Sequence, residues 1–378
     1  MKKTFKYRIQ PSKKQVAILN KTLDECRWLY NHFLEQRKNA WEKDQQSVSC
    51  FDQCNTLKAL KKERPSLQIV HSQVLQNVAH RVDFAFNGFF RRVKNGEKKP
   101  GYPRFKGKFR YDSFIYPQVG FSIAENNTSV NLSKIGNIKI KYHRPIEGTI
   151  KTCAIKRTRT DKWFVSFSCI VEAPGGSHPV KNAVGIDVGL KSFAVLSNGE
   201  KVENPKFFKQ EEKNLAKAQR KFSAIEKGIP ERRKHGKVVC RIHERISNKR
   251  YNFSHQLSRA LMNRFDLIAI EDLSINDMKK DNFRCVNRSI GDAAWNMLFD
   301  QLSYKAEEAG KRIIKINPAY TSQTCSRCGN RQKIKLSERI FDCHCCSLSI
   351  DRDFNASLNI LALGTQGFPD LSDRSPTL

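Results

Sequence analysis

Ala183-Val184-Gly185-Ile186-Asp187-Val188-Gly189-Leu190, running on into Ser192-Phe193-Ala194-Val195-Leu196, is the stretch on which the fold turns. An apolar run of this length, broken by one acid and flanked by glycines, reads as a buried strand turning into a second strand. An ionised carboxylate inside such a strand is costly unless a cation or a hydrogen-bond network compensates it. An aspartate in a tight turn at a strand end fits the same pattern. A metal-binding carboxylate at the lip of a sheet is the sharper reading, and two later acids bear on the choice.

Downstream, a turn at Ser197-Asn198-Gly199 leads to a short third strand holding Lys201 and Val202. Two charged helical stretches follow, about 206–227 and 237–264, split by Gly228-Ile229-Pro230. The second carries Ile242, Ile246, Phe253, Leu257 and Leu261 on its apolar face, with Arg241, Arg245, Lys249 and Arg250 available to phosphate. Leu267-Ile268-Ala269-Ile270-Glu271-Asp272 is another buried strand ending in acid, followed by a helix over about 289–308 and a strand over 312–316. Asp351-Arg352-Asp353-Phe354-Asn355-Ala356 opens the last helix. Strand–strand–strand–helix–strand–helix–strand–helix, with acids at Asp187, Glu271 and Asp353, resembles a ribonuclease H-like nuclease core. Three carboxylates from different elements can converge on one sheet edge and hold two divalent ions about 4 Å apart. Hard oxygen ligands favour Mg²⁺.

Upstream, residues 1–10 alternate as a strand, with Phe5, Tyr7 and Ile9 on one side. Ser12 and Gln15 stand at capping-box spacing before a helix striped by Val16, Leu19, Leu23, Cys26, Tyr30 and Phe33. A shorter helix ends at Pro65, and a third runs from about Ser72 to Lys94 before Asn95-Gly96. In the loop that follows, Lys98, Lys99, Arg104 and Lys106 interleave with Tyr102 and Phe105, cations for phosphates and rings for bases. Period-two patterning then runs to residue 172, clearest at Trp163, Val165, Phe167, Cys169 and Val171. It reads as an antiparallel barrel or sandwich that includes the first strand and is interrupted by the helices. Pro174-Gly175-Gly176-Ser177-His178-Pro179 is the best domain boundary.

The chain has 378 residues, with 69 Lys and Arg against 37 acids, a formal charge of +32. A compact enzyme of small metabolites gains nothing from that self-repulsion, whereas a polyphosphate partner neutralises it. No apolar stretch reaches membrane-spanning length, and Met1-Lys2-Lys3 is followed by alternating polar residues rather than a signal core. A cytoplasmic chain without a membrane partner is expected, its 12 cysteines reduced unless they hold metal. Five of them crowd between Cys325 and Cys346: Cys325-Ser326-Arg327-Cys328, fourteen residues, then Cys343-His344-Cys345-Cys346. Paired knuckles at this spacing indicate one structural Zn²⁺ on four thiolates, although the gap falls just under the usual fifteen to twenty or so. Cys325, Cys328, Cys343 and Cys346 are the assigned ligands, with Cys345 and His344 as rivals for one position.

Gly185-Ile186-Asp187-Val188-Gly189, Ile270-Glu271-Asp272-Leu273, Tyr320-Thr321-Ser322-Gln323-Thr324-Cys325-Ser326-Arg327-Cys328-Gly329 and Asp351-Arg352-Asp353-Phe354-Asn355-Ala356 together resemble the transposon-encoded TnpB proteins, relatives of the compact type V CRISPR effectors. The likeness runs nearly end to end, and the opening strand and helix and Gly101-Tyr102-Pro103-Arg104-Phe105 share it. It implies an α/β multidomain chain. A wedge β-barrel (1–10 and 96–173) would be interrupted by a helical recognition insert (11–95). A RuvC-like, ribonuclease H-like nuclease (180–320 and 348–364) would carry a zinc-ribbon insertion (321–347). The polar residues 365–378 read as a disordered tail. The resemblance further implies that a transposon-derived guide RNA directs cleavage of double-stranded DNA beside a short adjacent motif. Asp187, Glu271 and Asp353 would then be the catalytic carboxylates, with Asp353 rather than Asp351 in the acid position of Asp-x-Asn-Ala. Ser347 stands where glycine often follows the second knuckle and Ser357 where alanine is common, and neither departure removes a catalytic group.

Two other classes compete: a DNA transposase or recombinase accessory protein, and a non-catalytic zinc-containing DNA-binding protein. No two of the nine histidines are separated by a single residue, so the His-hydrophobe-His site of single-strand transposases is missing. A transposase of the Asp-Asp-Glu type ends its triad in glutamate, whereas the order here is Asp, Glu, Asp. A binding module has no need of three acids in register with a nuclease fold.

Overall fold

The computed structural model describes residues 1–172, 179–280, 282–335 and 337–368. The chain divides into two compact units, Met1–Glu172 and Ala173–Leu378. The proline- and glycine-rich boundary falls at that division, and its residues 174–178 lie outside the described residues.

In the first unit, β1 (Lys2–Gln10) buries Phe5, Tyr7 and Ile9 and exposes the cations between them. Ser12 and Gln15 form the expected capping box, and α1 (Lys13–Asp44) runs without interruption. A second box, Ser49 with Asp52, starts α2 (Cys50–Glu63), and α3 (Ser72–Lys94) follows. The remaining elements are β2 (Ser113–Tyr116), β3 (Phe121–Ile123), β4 (Ser129–Leu132), β5 (Gly136–Lys141), β6 (Thr149–Arg157) and β7 (Trp163–Ile170). They join β1 in one antiparallel sheet of order β2-β6-β7-β1-β5-β4-β3. The expected barrel is therefore a half-barrel among the described residues, because the ladder ends at β2 and β3 rather than closing. Those two edge strands have only four and three residues. They meet through side chains instead, the rings of Tyr116 and Phe121 lying 6.4 Å apart. The curled sheet and the three helices share one core around Tyr7, Phe33, Phe114 and Phe167.

In the second unit, β8 (Ala183–Val188), β9 (Ser192–Leu196) and β10 (Lys201–Glu203) form an antiparallel meander. Two long helices follow, α4 (Phe207–Ala224) and α5 (Pro230–Arg264). The latter begins seven residues before its expected start, because Pro230 occupies the first turn, where a missing N–H costs nothing. Next come β11 (Leu267–Glu271), the short α6 (Ile275–Met278), α7 (Arg284–Ala293), α8 (Trp295–Ala309) and β12 (Arg312–Ile316). The single helix expected over 289–308 is two, broken at Ala294, whose backbone is left-handed (φ 56°). The break separates the Asp292 end of α7, tied to α4 and α5, from Trp295 in the core. A small hairpin, β13 (Ile340–Asp342) with β14 (Ser349–Asp351), precedes α9 (Arg352–Thr365). Of the expected tail, Thr365 closes α9 and Phe368 packs against the cluster of Leu267, Ala269, Ile316 and Ile360, while residues 369–378 lie outside the described residues. Among the described residues, no helix is long and apolar enough to cross a membrane.

The sheet order is β10-β9-β8-β11-β12, with β11 parallel to both β8 and β12. Gly185 pairs with Ala269 and Ile186 with Ile270, so Asp187 and Glu271 continue the same register. Side chains two apart share a face, which puts Gly185, Asp187, Ala269 and Glu271 on one side of the sheet. Helix α9 lies on that side at very close range. A Cβ built on Gly185 would fall 2.2 Å from Ser357 O, and one on Gly364 would fall 2.4 Å from the Ala269 Cβ. These contacts fix where α9 begins, and with it Asp353.

Gly185→Ala is therefore expected to destabilise the protein by about 1–3 kcal/mol through overpacking. A urea unfolding midpoint measures it. Gly107→Ala, where a Cβ meets open space and the backbone angle is ordinary, should leave the midpoint in place.

Candidate active site and metal centre

The structure brings Asp187, Glu271 and Asp353 to one end of the sheet. Burial pushes the Asp187 carboxyl up to about 8, the charges of Glu271 and then Asp353 add to the shift, and Arg352 opposes it. Glu271 is buried and its carboxyl is likewise raised by desolvation, although a 2.6 Å hydrogen bond from the Thr321 hydroxyl favours its charged form. Asp353 has Arg352 Nε at 3.6 Å and Arg339 Nη1 at 4.0 Å. A desolvated carboxyl crowded by two further acids, as Asp187 is, is a group whose charged form a hard divalent cation such as Mg²⁺ would favour.

Asp351 and Asp353 are told apart by what each carboxylate does. Asp351 caps α9, accepting from the amides of Asp353 (3.0 Å) and Phe354 (3.1 Å), and it pairs with Lys201 at 2.7 Å. Its oxygens are committed to the backbone and to a cation. Asp353, two residues further into the first turn, supplies the charge felt at Asp187.

The four cysteines assigned by spacing converge. The Sγ atoms of Cys325, Cys328, Cys343 and Cys346 all lie within 4.8 Å of one another. Cys325 to Cys346 and Cys328 to Cys343 are each 3.6 Å, far beyond a disulfide bond. A tetrahedral ion with bonds of about 2.3 Å separates its sulfurs by about 3.8 Å, so the set fits Zn²⁺. The backbone amides of Cys346 and Cys345 lower the Cys343 thiol to about 6, with help from the neighbouring sulfurs. The Asn330 amide points at Cys328, yet burial and the sulfurs around it raise that thiol. Crowded thiols that cannot all ionise together are what a divalent cation resolves. Cys345 is exposed and outside the set, as is His344.

The expected nucleic-acid residues divide into two groups. In the first unit, Lys98, Lys99, Tyr102, Arg104 and Phe105 are exposed on a loop whose backbone is anchored. Asn31 grips both backbone groups of Lys106 (2.7 and 3.0 Å), and Arg92 donates to Gly101 O at 2.9 Å. Tyr102 rests edge-on against Phe86 and Phe89. In the second unit, three of the four cations on α5 hold acids of the same unit. Arg245 (3.3 Å) and Lys249 (3.8 Å) face Glu211 of α4, and Arg250 meets Asp292 at 2.7 Å. Asp292 also accepts from the amides of Phe208 (2.8 Å) and Lys209 (3.3 Å), capping α4 from outside. Arg241 stands exposed one turn before Arg245.

Sequence reasoning assigned no role to Thr321, Asn355 or Asn359, all of which reach the site. Asn355 Nδ2 donates to Thr324 O (2.7 Å) while its Oδ1 accepts from the Ser326 amide (2.9 Å). Asn359 Nδ2 donates to Thr321 O (2.8 Å) and Thr324 O (2.7 Å). The available signal was two asparagines four apart on an otherwise apolar helix, which places both amides on one face.

Comparison with known proteins agrees with this architecture. A family model described as "Probable transposase", of the IS605 OrfB group, matches residues 166–282, and a Cas12f1-like TNB domain model matches 295–360. A "Helix-turn-helix domain" model of the same OrfB group matches residues 1–46, which here form β1 and the single helix α1. Over 375 residues the chain is 36% identical to a Streptomyces pristinaespiralis protein named "Putative RNA-guided DNA endonuclease", covering 96% of this chain and 90% of that one. It is 30% identical over 376 residues to "Putative RNA-guided DNA endonuclease InsQ" of Escherichia coli K12, covering 95% and 92% respectively. With the CRISPR-associated endodeoxyribonuclease Cas12f1 of Sulfoacidibacillus thermotolerans it shares 28% identity over 219 residues, 53% of this chain and 50% of that one. The class is that of the OrfB proteins of IS605-type elements. Within it, the chain belongs to the TnpB family.

Replacing Cys325 and Cys328 together by serine is expected to abolish bound zinc, read by elemental analysis, and to open residues 320–350 to proteolysis. Full zinc retention would point to other ligands. The two groups of cations should also part experimentally. Lys98→Ala with Lys99→Ala and Arg104→Ala should weaken nucleic-acid binding and reduce its salt slope by about one per lost phosphate contact. Arg250→Ala should instead lower the unfolding midpoint, because it leaves the carboxylate of Asp292 without its ion pair.

Proposed function

We propose that this chain is an RNA-guided DNA endonuclease of a transposon, cutting double-stranded DNA beside a short adjacent motif. The carrying observation is that the β8–β11 register and the start of α9 bring Asp187, Glu271 and Asp353 to one end of one sheet face. The meander-then-parallel order supports reading residues 180–320 and 348–364 as a ribonuclease H-like RuvC core. Residues 321–347 form the zinc ribbon, 1–10 and 96–173 the wedge, and 11–95 the recognition insert. In this reading the three carboxylates hold two Mg²⁺ ions. Bound there, the ions would supply an activated water and stabilise the leaving oxygen of a scissile phosphate.

The chain's own contribution is placement and charge. Asp187 and Glu271 stand on adjacent parallel strands, about 4.8 Å apart, so the sheet keeps both on one phosphate. The Asp351 cap keeps the first turn of α9, and Asp353 with it, from fraying. The loop around Lys98, Lys99 and Arg104 grips phosphates while Tyr102 and Phe105 offer faces for stacking. A charge of +32 suits a guide RNA and its DNA duplex held by the backbone, with base pairing reading the target. The proposed compartment is the cytoplasm, where all 12 cysteines, free in this structure, stay reduced.

The test replaces the guide segment of the RNA and offers DNA matching the old and new guides beside the same motif. Cleavage should move to the new target, require Mg²⁺, and stop in Glu271→Gln while DNA binding persists. Cutting that stays at the old site, or proceeds equally without RNA, would favour a transposase, the activity named by the matched family model.

A further inference from the structure

We propose that Thr321 positions Glu271 for metal binding, and that Asn355 and Asn359 hold Thr321 in place by clamping the cysteine knuckle to α9. The proposal rests on the reading of Glu271 as a metal-holding carboxylate. Thr321 Oγ1 lies 2.6 Å from Glu271 Oε1 and 3.2 Å from Pro318 O. The hydroxyl carries one proton, and the shorter contact, to a carboxylate, takes it. Oε1 is thereby committed, the carboxylate is barred from rotating, and Oε2 is left for a cation. Thr321 is buried, so no water competes for the contact.

What holds Thr321 is not its own element, since it sits in the connection between β12 and the first knuckle. Asn359 spends both amide protons on the carbonyls of Thr321 and Thr324. Asn355, fully buried, donates to the same Thr324 carbonyl and accepts from the Ser326 amide. Residues 324 and 326 flank Cys325, so the zinc ligand and the Glu271 anchor are gripped by one pair of side chains. Asn355 lies two residues beyond Asp353. A single helix end therefore sets one carboxylate directly and a second through the knuckle.

Partners that orient a metal ligand typically matter about 10–100-fold in metal affinity or activity. The experiment uses the guide-RNA-bound protein with target DNA and titrates Mn²⁺, following bound ion by electron paramagnetic resonance alongside cleavage. Thr321→Val, which keeps shape and loses the hydroxyl, should move both midpoints upward by about 10–100-fold. Zinc content and target-DNA affinity should stay at parental values. Thr321→Ser should restore the Mn²⁺ midpoints, and Asn359→Ala, which leaves the hydroxyl in the chain but frees its backbone, should shift them in the same direction as Thr321→Val. The proposal is overturned if Thr321→Val binds Mn²⁺ like the parent, if serine fails to rescue, or if zinc or DNA affinity falls in step. A Thr321-dependent Mn²⁺ midpoint in a complex that cuts nothing under its guide would sink the nuclease reading and leave the positioning role standing.

Discussion

Crowding of the Asp187 carboxyl by Glu271 and Asp353 at one end of a sheet is the constraint on which the rest of the second unit depends. Left to itself, Asp187 would rather be protonated, since burial and its two acidic neighbours raise it to about 8. A fold assembled for stability alone would not keep such a group. Here its neighbours are supplied by elements that have little freedom. Strand β11 is buried along its whole length, so its register against β8 cannot slip without turning Glu271 to the other face. Helix α9 is seated by Gly185 below and Gly364 above, where a methyl group on either would force the layers apart. The crowding at Asp187 is thus imposed by packing, by a strand register that keeps Glu271 on its face and a helix with no room to shift.

The same unit manages its excess positive charge selectively. Along α5, Arg245, Lys249 and Arg250 are matched with Glu211 and Asp292, and those pairs fasten α4 to α5 and α7. Asp292 does three jobs at once, capping α4, holding Arg250 and ending α7. In each pair the acid is buried while its cation keeps part of its surface in solvent. Together they tie α4 and α7 to α5.

Much of this was legible in the residues. Alternation in β1 and β7, the capping box at Ser12, the CxxC pairs and the acids closing β8 and β11 are local signals, each carried by a few adjacent side chains. What escaped depended on partners distant in sequence. Nothing around Ala294 announces a left-handed residue, because the break is imposed by Asp292 reaching α4 on one side and Trp295 entering the core on the other. The helical face of α5 that meets α4 could not be read from α5 alone, so its cations looked available. Closure of the first sheet was expected from uniform period-two patterning, yet patterning is silent on strand length, and the shortness of β2 and β3 leaves the ladder open.

The position of the knuckle follows from the sheet. Glu271 pairs in register with Ile316, the last residue of β12, so the chain leaves the sheet beside that carboxylate. It does not return until α9 begins at Arg352. Among the described residues between, the β13–β14 hairpin and a small core around Phe341 and Leu348 are the regular structure. The sulfurs of Cys325, Cys328, Cys343 and Cys346 converge there, and an ion held by all four would cross-link the two ends of the segment. Because this segment starts beside Glu271, its first ordered turn falls next to that carboxylate, and Thr321 is already within reach. Between β12 and α9, the first knuckle is tied to α9 through Asn355 and Asn359, and Thr321 in the same stretch is tied to Glu271.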